Sequence, residues 1–135
     1  MSSFVVDASV AVKWVVPEVH SESALRLLER GYYLLVPDFF FAEVANVFWK
    51  RVRRGEDSAD DAKVALEAIR AQPLQVHPSL RLMTCALDIA IRTQRAVYDC
   101  VYLTLAVESQ CQMVTADEKL FNALQTDPLI AHLLL

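Results

Sequence analysis

Four acidic residues, Asp7, Glu43, Asp99 and Asp117, end or interrupt stretches that are otherwise apolar. Asp7 closes the run Phe4-Val5-Val6, Asp117 follows Met113-Val114-Thr115-Ala116, and Glu43 and Asp99 break the stretches Phe39 to Trp49 and Val97 to Val107. Carboxylates are normally kept out of such segments because burying an unpaired charge is costly. Two unit charges about 4 Å apart repel by roughly 4 kcal/mol at an effective dielectric near 20. A cluster of such pairs would cancel much of a folding stability of about 5–15 kcal/mol unless protons or a divalent cation entered. An all-oxygen donor set favours Mg²⁺ or Mn²⁺. If these acids converge, the chemistry they point to is that of a metal pocket.

Each acid also has a bland explanation. Asp7 can cap the turn that follows it, and Asp99 can sit in the first turn of a helix, where the positive end of the dipole favours an anion. Thr115-Ala116-Asp117-Glu118 satisfies a capping-box pattern. Glu43 and Asn46 lie one turn apart among apolar neighbours, so whichever helix face carries them needs a polar setting. Ser9, two residues after Asp7, offers a hydroxyl that can orient a carboxylate or cap its own helix. Glu56, Asp57, Asp60, Asp61 and Glu67 fall on or beside a polar, amphipathic segment and read as a solvated face.

The elements that must position these acids alternate between two periodicities. Phe4 to Val6 reads as a buried strand, and Ser9 opens a short helical segment to about Val16, which Pro17 interrupts. His20 to Arg30 has helical spacing and stops at Gly31; Tyr33 to Val36 is the second strand. Asp38 to Arg54 is helical and ends at Gly55, and Ser58 to Ala71 is an amphipathic helix with early acidic residues. Leu74 to Val76 is a short strand, Ser79 caps a helix to about Thr93, Tyr98 to Ser109 is another helix, and Gln112 to Thr115 is the fourth strand. Asp117 to Leu124 is helical, and the apolar tail Leu129 to Leu134 fits either strand or helix. The alternation predicts an α/β domain on a mainly parallel sheet. Ligands of such sheets gather beyond the carboxyl ends of the strands, where the strand order switches. Asp7 and Asp117 both follow strands, so the topology predicts that they share one edge.

The 135 residues suit one domain with its own core. Hydrophobic residues make up 55%, an excess that points to an apolar surface covered by a partner and hence to oligomerisation. The longest apolar region is broken by Pro37, Asp38 and Glu43, so no membrane span is expected, nor a signal peptide. Cys85, Cys100 and Cys111 form no CxxC pair and read as reduced, mostly buried thiols of a cytoplasmic protein; His20, His77 and His132 complete no zinc pattern. A net charge of −4 argues against a broad positive field for nucleic acid. Lys50, Arg51, Arg53 and Arg54 nevertheless form a basic group beside Gly55, suited either to a helix dipole or to phosphate.

Four segments together resemble the PIN-domain nucleases: Val5-Val6-Asp7-Ala8-Ser9-Val10, Ala42-Glu43-Val44-Ala45-Asn46-Val47, Tyr98-Asp99-Cys100-Val101-Tyr102-Leu103-Thr104-Leu105-Ala106, and Val114-Thr115-Ala116-Asp117-Glu118-Lys119-Leu120. More narrowly, the chain is similar to VapC-type toxins of toxin-antitoxin pairs. The resemblance spans nearly the whole length, with the motifs in the family's order. It implies a three-layer fold with a central sheet between helices, and a Mg²⁺- or Mn²⁺-dependent endoribonuclease, usually dimeric, held in check by a small cognate antitoxin. It implies that Asp7, Glu43, Asp99 and Asp117 are the catalytic metal ligands, with Ser9 and Thr115 as supporting polar groups, to which the helix face shared with Glu43 adds Asn46. Lys13 and the basic residues Lys50, Arg53 and Arg54 are the candidates for holding RNA near the acids.

Rival classes fit less well. A receiver-like phospho-acceptor site wants adjacent acids after the first strand, where Val6-Asp7 offers one. A haloacid-dehalogenase-type phosphatase wants an Asp at the position held by Ser9. A non-catalytic interaction domain with an inherited pocket is disfavoured by the intact acids, and a nuclease of RNA processing without a toxin role is the nearer alternative.

Overall fold

The computed structural model describes residues 2–29, 31–124 and 130–132, the last three through their backbone alone. Five strands, β1 (Ser3–Val6), β2 (Tyr33–Pro37), β3 (Leu74–His77), β4 (Gln112–Thr115) and β5 (Ile130–His132), pair in the order β3-β2-β1-β4-β5. Every pairing is parallel. Val5 and Val6 of β1, Leu34 to Val36 of β2, and Met113 to Thr115 of β4 are buried at successive positions. Consecutive burial rather than alternation means that both sheet faces are covered, as a parallel sheet requires.

The covering helices are α1 (Ala8–Val12), α2 (Ser21–Glu29), α3 (Phe40–Arg53), α4 (Ala59–Arg70), α5 (Met83–Thr93), α6 (Val97–Glu108) and α7 (Glu118–Leu124). The chain first steps from β1 outward to β3, then crosses back over β1 to β4 and continues to β5. Right-handed crossovers in these two opposite directions place α1 to α4 on one face and α5 to α7 on the other. The packing agrees: α3 contacts α1 and α4, while α6 lies against α5 and over β1, β2 and β4. The strand order reverses beside β1, between β2 and β4, so the switch point falls where β1 and β4 end.

Local sequence explains the element limits. Phe40, Val44 and Phe48 recur every fourth residue along α3 and are buried. Glu43 stands at the border of that stripe, half-buried, and Asn46 lies farther round and exposed. The helix ends in a Schellman turn, with the Gly55 N–H bonded to the Val52 carbonyl at 3.0 Å and the Glu56 N–H to Arg51 at 2.9 Å. Gly55 supplies the required φ of +76°. Ser58 caps α4 by accepting from the Asp61 amide at 3.0 Å. Helix α6 is buried from Cys100 to Ala106 on all sides and forms the centre of the core. Trp14 ties the segment after α1 to α2 through its indole N–H, which donates to the Ala24 carbonyl at 2.9 Å.

Several sequence expectations need correction. The helix expected from Ser9 to Val16 is regular only over Ala8–Val12, after which turns continue to Pro17. Asp38 and Phe39 form a turn before α3 instead of its first residues. Ser79 makes no side-chain cap; its amide donates to Asp38 Oδ2 at 3.1 Å, and a 3₁₀ turn (Leu80–Leu82) precedes α5. Cys85 is exposed, against Cys100 buried and Cys111 half-buried, and the three are free thiols. Of the undecided tail, Ile130–His132 is strand, and the remainder of 125–135 lies outside the described residues. No helix among the described residues is long and apolar enough to cross a membrane.

Because Phe40 is fully buried at the start of α3, Phe40→Ala should destabilise the chain by about 3–5 kcal/mol. Urea unfolding followed by circular dichroism measures this.

Candidate functional site

All four acids lie at the carboxyl edge of the sheet, each at the start of a helix. Asp7 joins β1 to α1, Glu43 is in the first turn of α3, Asp99 in the first turn of α6, and Asp117 immediately precedes α7. Helices that run antiparallel to the strands bring α3 and α6 to this edge by their N-termini, while α1 and α7 start there directly. Four partial positive charges therefore face the carboxylates and offset part of their repulsion.

Asp7 is the most deeply set, at 9% exposure. It occupies the N-cap position of α1 but makes no side-chain cap. Its Oδ2 accepts instead from Ser9 Oγ and from Thr115 Oγ1, both at 2.8 Å. Ser9 Oγ also accepts from the Ala116 amide at 3.1 Å, and Thr115 Oγ1 from the Asp117 amide at 3.1 Å. These bonds lace the end of β1 to the end of β4. Burial pushes the Asp7 carboxyl above its usual range, the Thr115 and Ser9 bonds pull it down, and the charge of Asp117 raises it further.

Glu43 accepts at Oε1 from the Tyr102 hydroxyl at 2.5 Å, a bond that joins α3 to α6 across 59 residues. Burial raises its pKa most, Tyr102 lowers it, and the charges of Asp7 and Asp99 raise it. Asp99 accepts no side-chain hydrogen bond among the described residues, and its pKa is pushed up to about 6 by burial and by the charges of Asp7 and Asp117, against the opposing pull of Arg95. Asp117 is exposed; its Oδ1 caps α7 by accepting from the amides of Lys119 at 3.0 Å and Leu120 at 3.2 Å. The cap of α7 is thus Asp117, whereas the capping-box pattern placed it at Thr115. Thr115 is the last, fully buried residue of β4, and its hydroxyl is turned to Asp7.

A shared arrangement emerges. In Glu43 and Asp117 one carboxylate oxygen is held by O–H or N–H donors and the other accepts no side-chain or amide bond among the described residues, while Asp7 is held at Oδ2 by two hydroxyls and also meets the Ala8 amide. Asp99 has neither oxygen so held. The charges of Asp7 and Asp99 act on Glu43, those of Asp7 and Asp117 on Asp99, and that of Asp117 on Asp7, so every acid lies within electrostatic reach of at least two others. Among the described residues no three acid, thiol or imidazole groups are gathered tightly enough to clasp an ion without movement, as the repulsion of like charges dictates. The donor set fits a hard divalent cation: it is all oxygen and part-buried, and burial raises the proton affinity of Asp7, Glu43 and Asp99.

The basic candidates separate. A cleft of about 410 Å³ beside the acids is lined by Ser9, Lys13, Lys50, Arg51, Arg54 and Ala116, among others. Lys50 and Arg54 face it as single cations. Lys13 reaches it with its ammonium bonded to Glu18 Oε1 at 3.1 Å and to the Val19 carbonyl at 3.0 Å. Arg51 is committed to Asp57 at 2.6 Å and Glu56 at 3.2 Å. Arg53 points elsewhere, its guanidinium stacked 4.7 Å above the Trp49 ring. Asn46 is exposed and makes no hydrogen bond to the acids among the described residues. Sequence reasoning missed Tyr102, whose only signal was its place three residues after Asp99 on the same helix face.

The PIN domain family matches residues 4–125. The chain is 35% identical over 127 residues to Ribonuclease VapC3 of Pyrobaculum aerophilum, covering 90% of this chain and 97% of that protein. Among solved structures it is similar to PAE2754 from Pyrobaculum aerophilum, with a TM-score of 0.75 and 20% identity, covering 98% of this chain and 84% of the other. A toxin-antitoxin complex from Klebsiella pneumoniae matches with a TM-score of 0.63 and 10% identity, covering 97% and 96%.

Asp99 carries a consequence for stability. A carboxyl with a folded pKa above its unfolded one holds its proton more tightly in the fold. Its stabilising effect is fully present below the unfolded range and is lost as pH rises toward about 6. Asp99→Asn should therefore stabilise the metal-free protein by about 1–2 kcal/mol at pH 8 and change little at pH 4, as read from urea midpoints.

Proposed function

Since the chain belongs to the PIN-domain family, we propose that it is a Mg²⁺- or Mn²⁺-dependent endoribonuclease that hydrolyses RNA phosphodiester bonds as the toxin of a toxin-antitoxin pair. The single observation that carries the chemistry is the electrostatic coupling of four carboxylates at one sheet edge. Asp7, Glu43, Asp99 and Asp117 would hold the cation. Once bound, the cation supplies Lewis-acid chemistry, neutralising phosphate charge and activating water.

The chain's own groups do the rest. Ser9 and Thr115 fix the Asp7 carboxylate by donating both hydroxyl protons to it, so neither is poised as a nucleophile. Hydrolysis by water is the route left by that commitment. Lys50 and Arg54 lie along the cleft that leads from Ser9 and Ala116, where the RNA phosphates would be steered and held. Lys13 contributes a charge that is already paired. Arg53, stacked on Trp49 and absent from the cleft lining, is left out of the proposed RNA contact, and exposed Asn46 is left out of the support of the acids.

The antitoxin partner rests on the similarity to a toxin-antitoxin complex and to a VapC ribonuclease. A homodimer would draw on apolar side chains left exposed on and before α5, namely Leu80, Leu87 and Ile91. No helix among the described residues crosses a membrane, in keeping with a cytoplasmic enzyme acting on RNA.

Asp99→Asn and Asp7→Asn should abolish Mg²⁺-dependent cleavage of RNA while leaving circular dichroism unchanged; retained cleavage by either would remove that acid from the catalytic set. Induced expression of the wild type should arrest growth and break RNA. Co-expression of the short reading frame beside its gene should relieve that arrest.

Binding of RNA should respond to salt in a residue-specific way. Replacing Lys50 and Arg54 together by alanine should flatten the slope of log affinity against log salt by about 1.4, at roughly 0.7 per phosphate contact. Arg53→Ala, which removes the stack on Trp49, should leave that slope unchanged.

A further inference from the structure

Tyr102 stands out because its hydroxyl donates its proton to an acid of the site. Its side chain is 1% exposed. The hydroxyl donates to Glu43 Oε1 at 2.5 Å. The ring is fixed from the side by Phe39, whose centroid lies 5.7 Å away in an edge-to-face arrangement, and Phe39 also packs edge-to-face on Tyr98 at 5.6 Å. A phenol held so rigidly has little freedom to choose another acceptor. Glu43 has three side-chain torsions on a half-buried helix border, so without a tether its carboxylate would sample several positions. The bond selects one. It also leaves Oε2 without a donor, on a carboxylate electrostatically coupled to Asp7 and Asp99.

We propose that Tyr102 is the positioning residue for Glu43, its hydroxyl holding one carboxylate oxygen so that the other is presented to the divalent cation shared with Asp7 and Asp99. The proposal rests on the reading of Glu43 as a metal ligand. It assigns to α6 two tasks, since the same helix carries Asp99 and, one turn later, the group that aims the acid of α3. Ser9 and Thr115 do the same for Asp7 from α1 and β4, respectively. Asp7 and Glu43 thereby have their own hydroxyl partners, and the partner of Glu43 comes from the opposite face of the sheet.

The test is Mn²⁺ binding to the full chain without RNA, followed by electron paramagnetic resonance, for the wild type, Tyr102→Phe, Glu43→Gln and the double variant. Phenylalanine keeps the ring and its contact with Phe39. Tyr102→Phe is expected to weaken Mn²⁺ binding about 10- to 100-fold. The double variant should bind no more weakly than Glu43→Gln, and RNA cleavage by Tyr102→Phe should recover toward wild type at saturating Mn²⁺. In the wild type, Mg²⁺ should move the ¹³Cζ resonance of Tyr102, a measurement that needs no folded variant beyond the one used for assignment.

Binding by Tyr102→Phe within twofold of wild type, or a loss that adds in full to that of Glu43→Gln, would make Tyr102 a packing residue and overturn the proposal. An unmoved Tyr102 resonance would do the same. A wild-type chain that binds no Mn²⁺ would instead overturn the metal reading of the whole site, and this assignment with it.

Discussion

Carboxylates confined at the rim of an apolar sheet repel one another, and their confinement is the constraint around which the rest of the molecule is arranged. At the carboxyl edge, Asp7 is nearly buried, Glu43 and Asp99 are half-buried, and the charges of Asp7, Asp99 and Asp117 raise the proton affinity of neighbouring acids. Nothing in the core compels this. The fold would be more stable with apolar residues there, so the acids mark a place where stability is given up for chemistry. Three devices limit the loss: hydroxyl donors on Asp7 and Glu43, amide donors on Asp117, and four helix N-termini aimed at the same region.

The strand order explains why such distant residues can meet at all. Starting at the central strand, the chain builds outward to β3 and then returns across β1 to build β4 and β5. The ends of β1 and β4 are therefore neighbours, although the Asp7 and Thr115 side chains that meet there are 108 residues apart. On either side, α3 and α6 arrive by their N-termini. One family of topologies thus delivers one acid from each of four segments without any long loop.

Much of this was legible in the sequence for definite physical reasons. Strands β1, β2 and β4 were readable because burial on both faces leaves unbroken apolar runs, and α3 was readable because Phe40, Val44 and Phe48 repeat at helical spacing and Gly55 closes the helix. The acids were visible as charges where apolar residues prevail. What could not be read depends on rotamers and on side chains meeting through space. Asp7 and Asp117 look alike as candidate caps, yet only Asp117 caps, because the Ser9 and Thr115 hydroxyls claim Asp7 first. Lys50, Arg53 and Arg54 look alike as cations on one helix end, yet Arg53 turns to Trp49 while the other two face the cleft. Tyr102 lay hidden because an aromatic residue in a buried helix reads as core, and its polar tip finds Glu43 only through the fold.

The hydrogen bonds from Ser9 and Thr115 to Asp7 bear on biosynthesis. Strand β1 leaves the ribosome well before its neighbour β4, and a growing chain folds from its N-terminus. Until β4 docks, Asp7 lacks its Thr115 partner and Asp117 has no place beside it. A nascent chain therefore carries no assembled centre until β4 has emerged and docked beside β1.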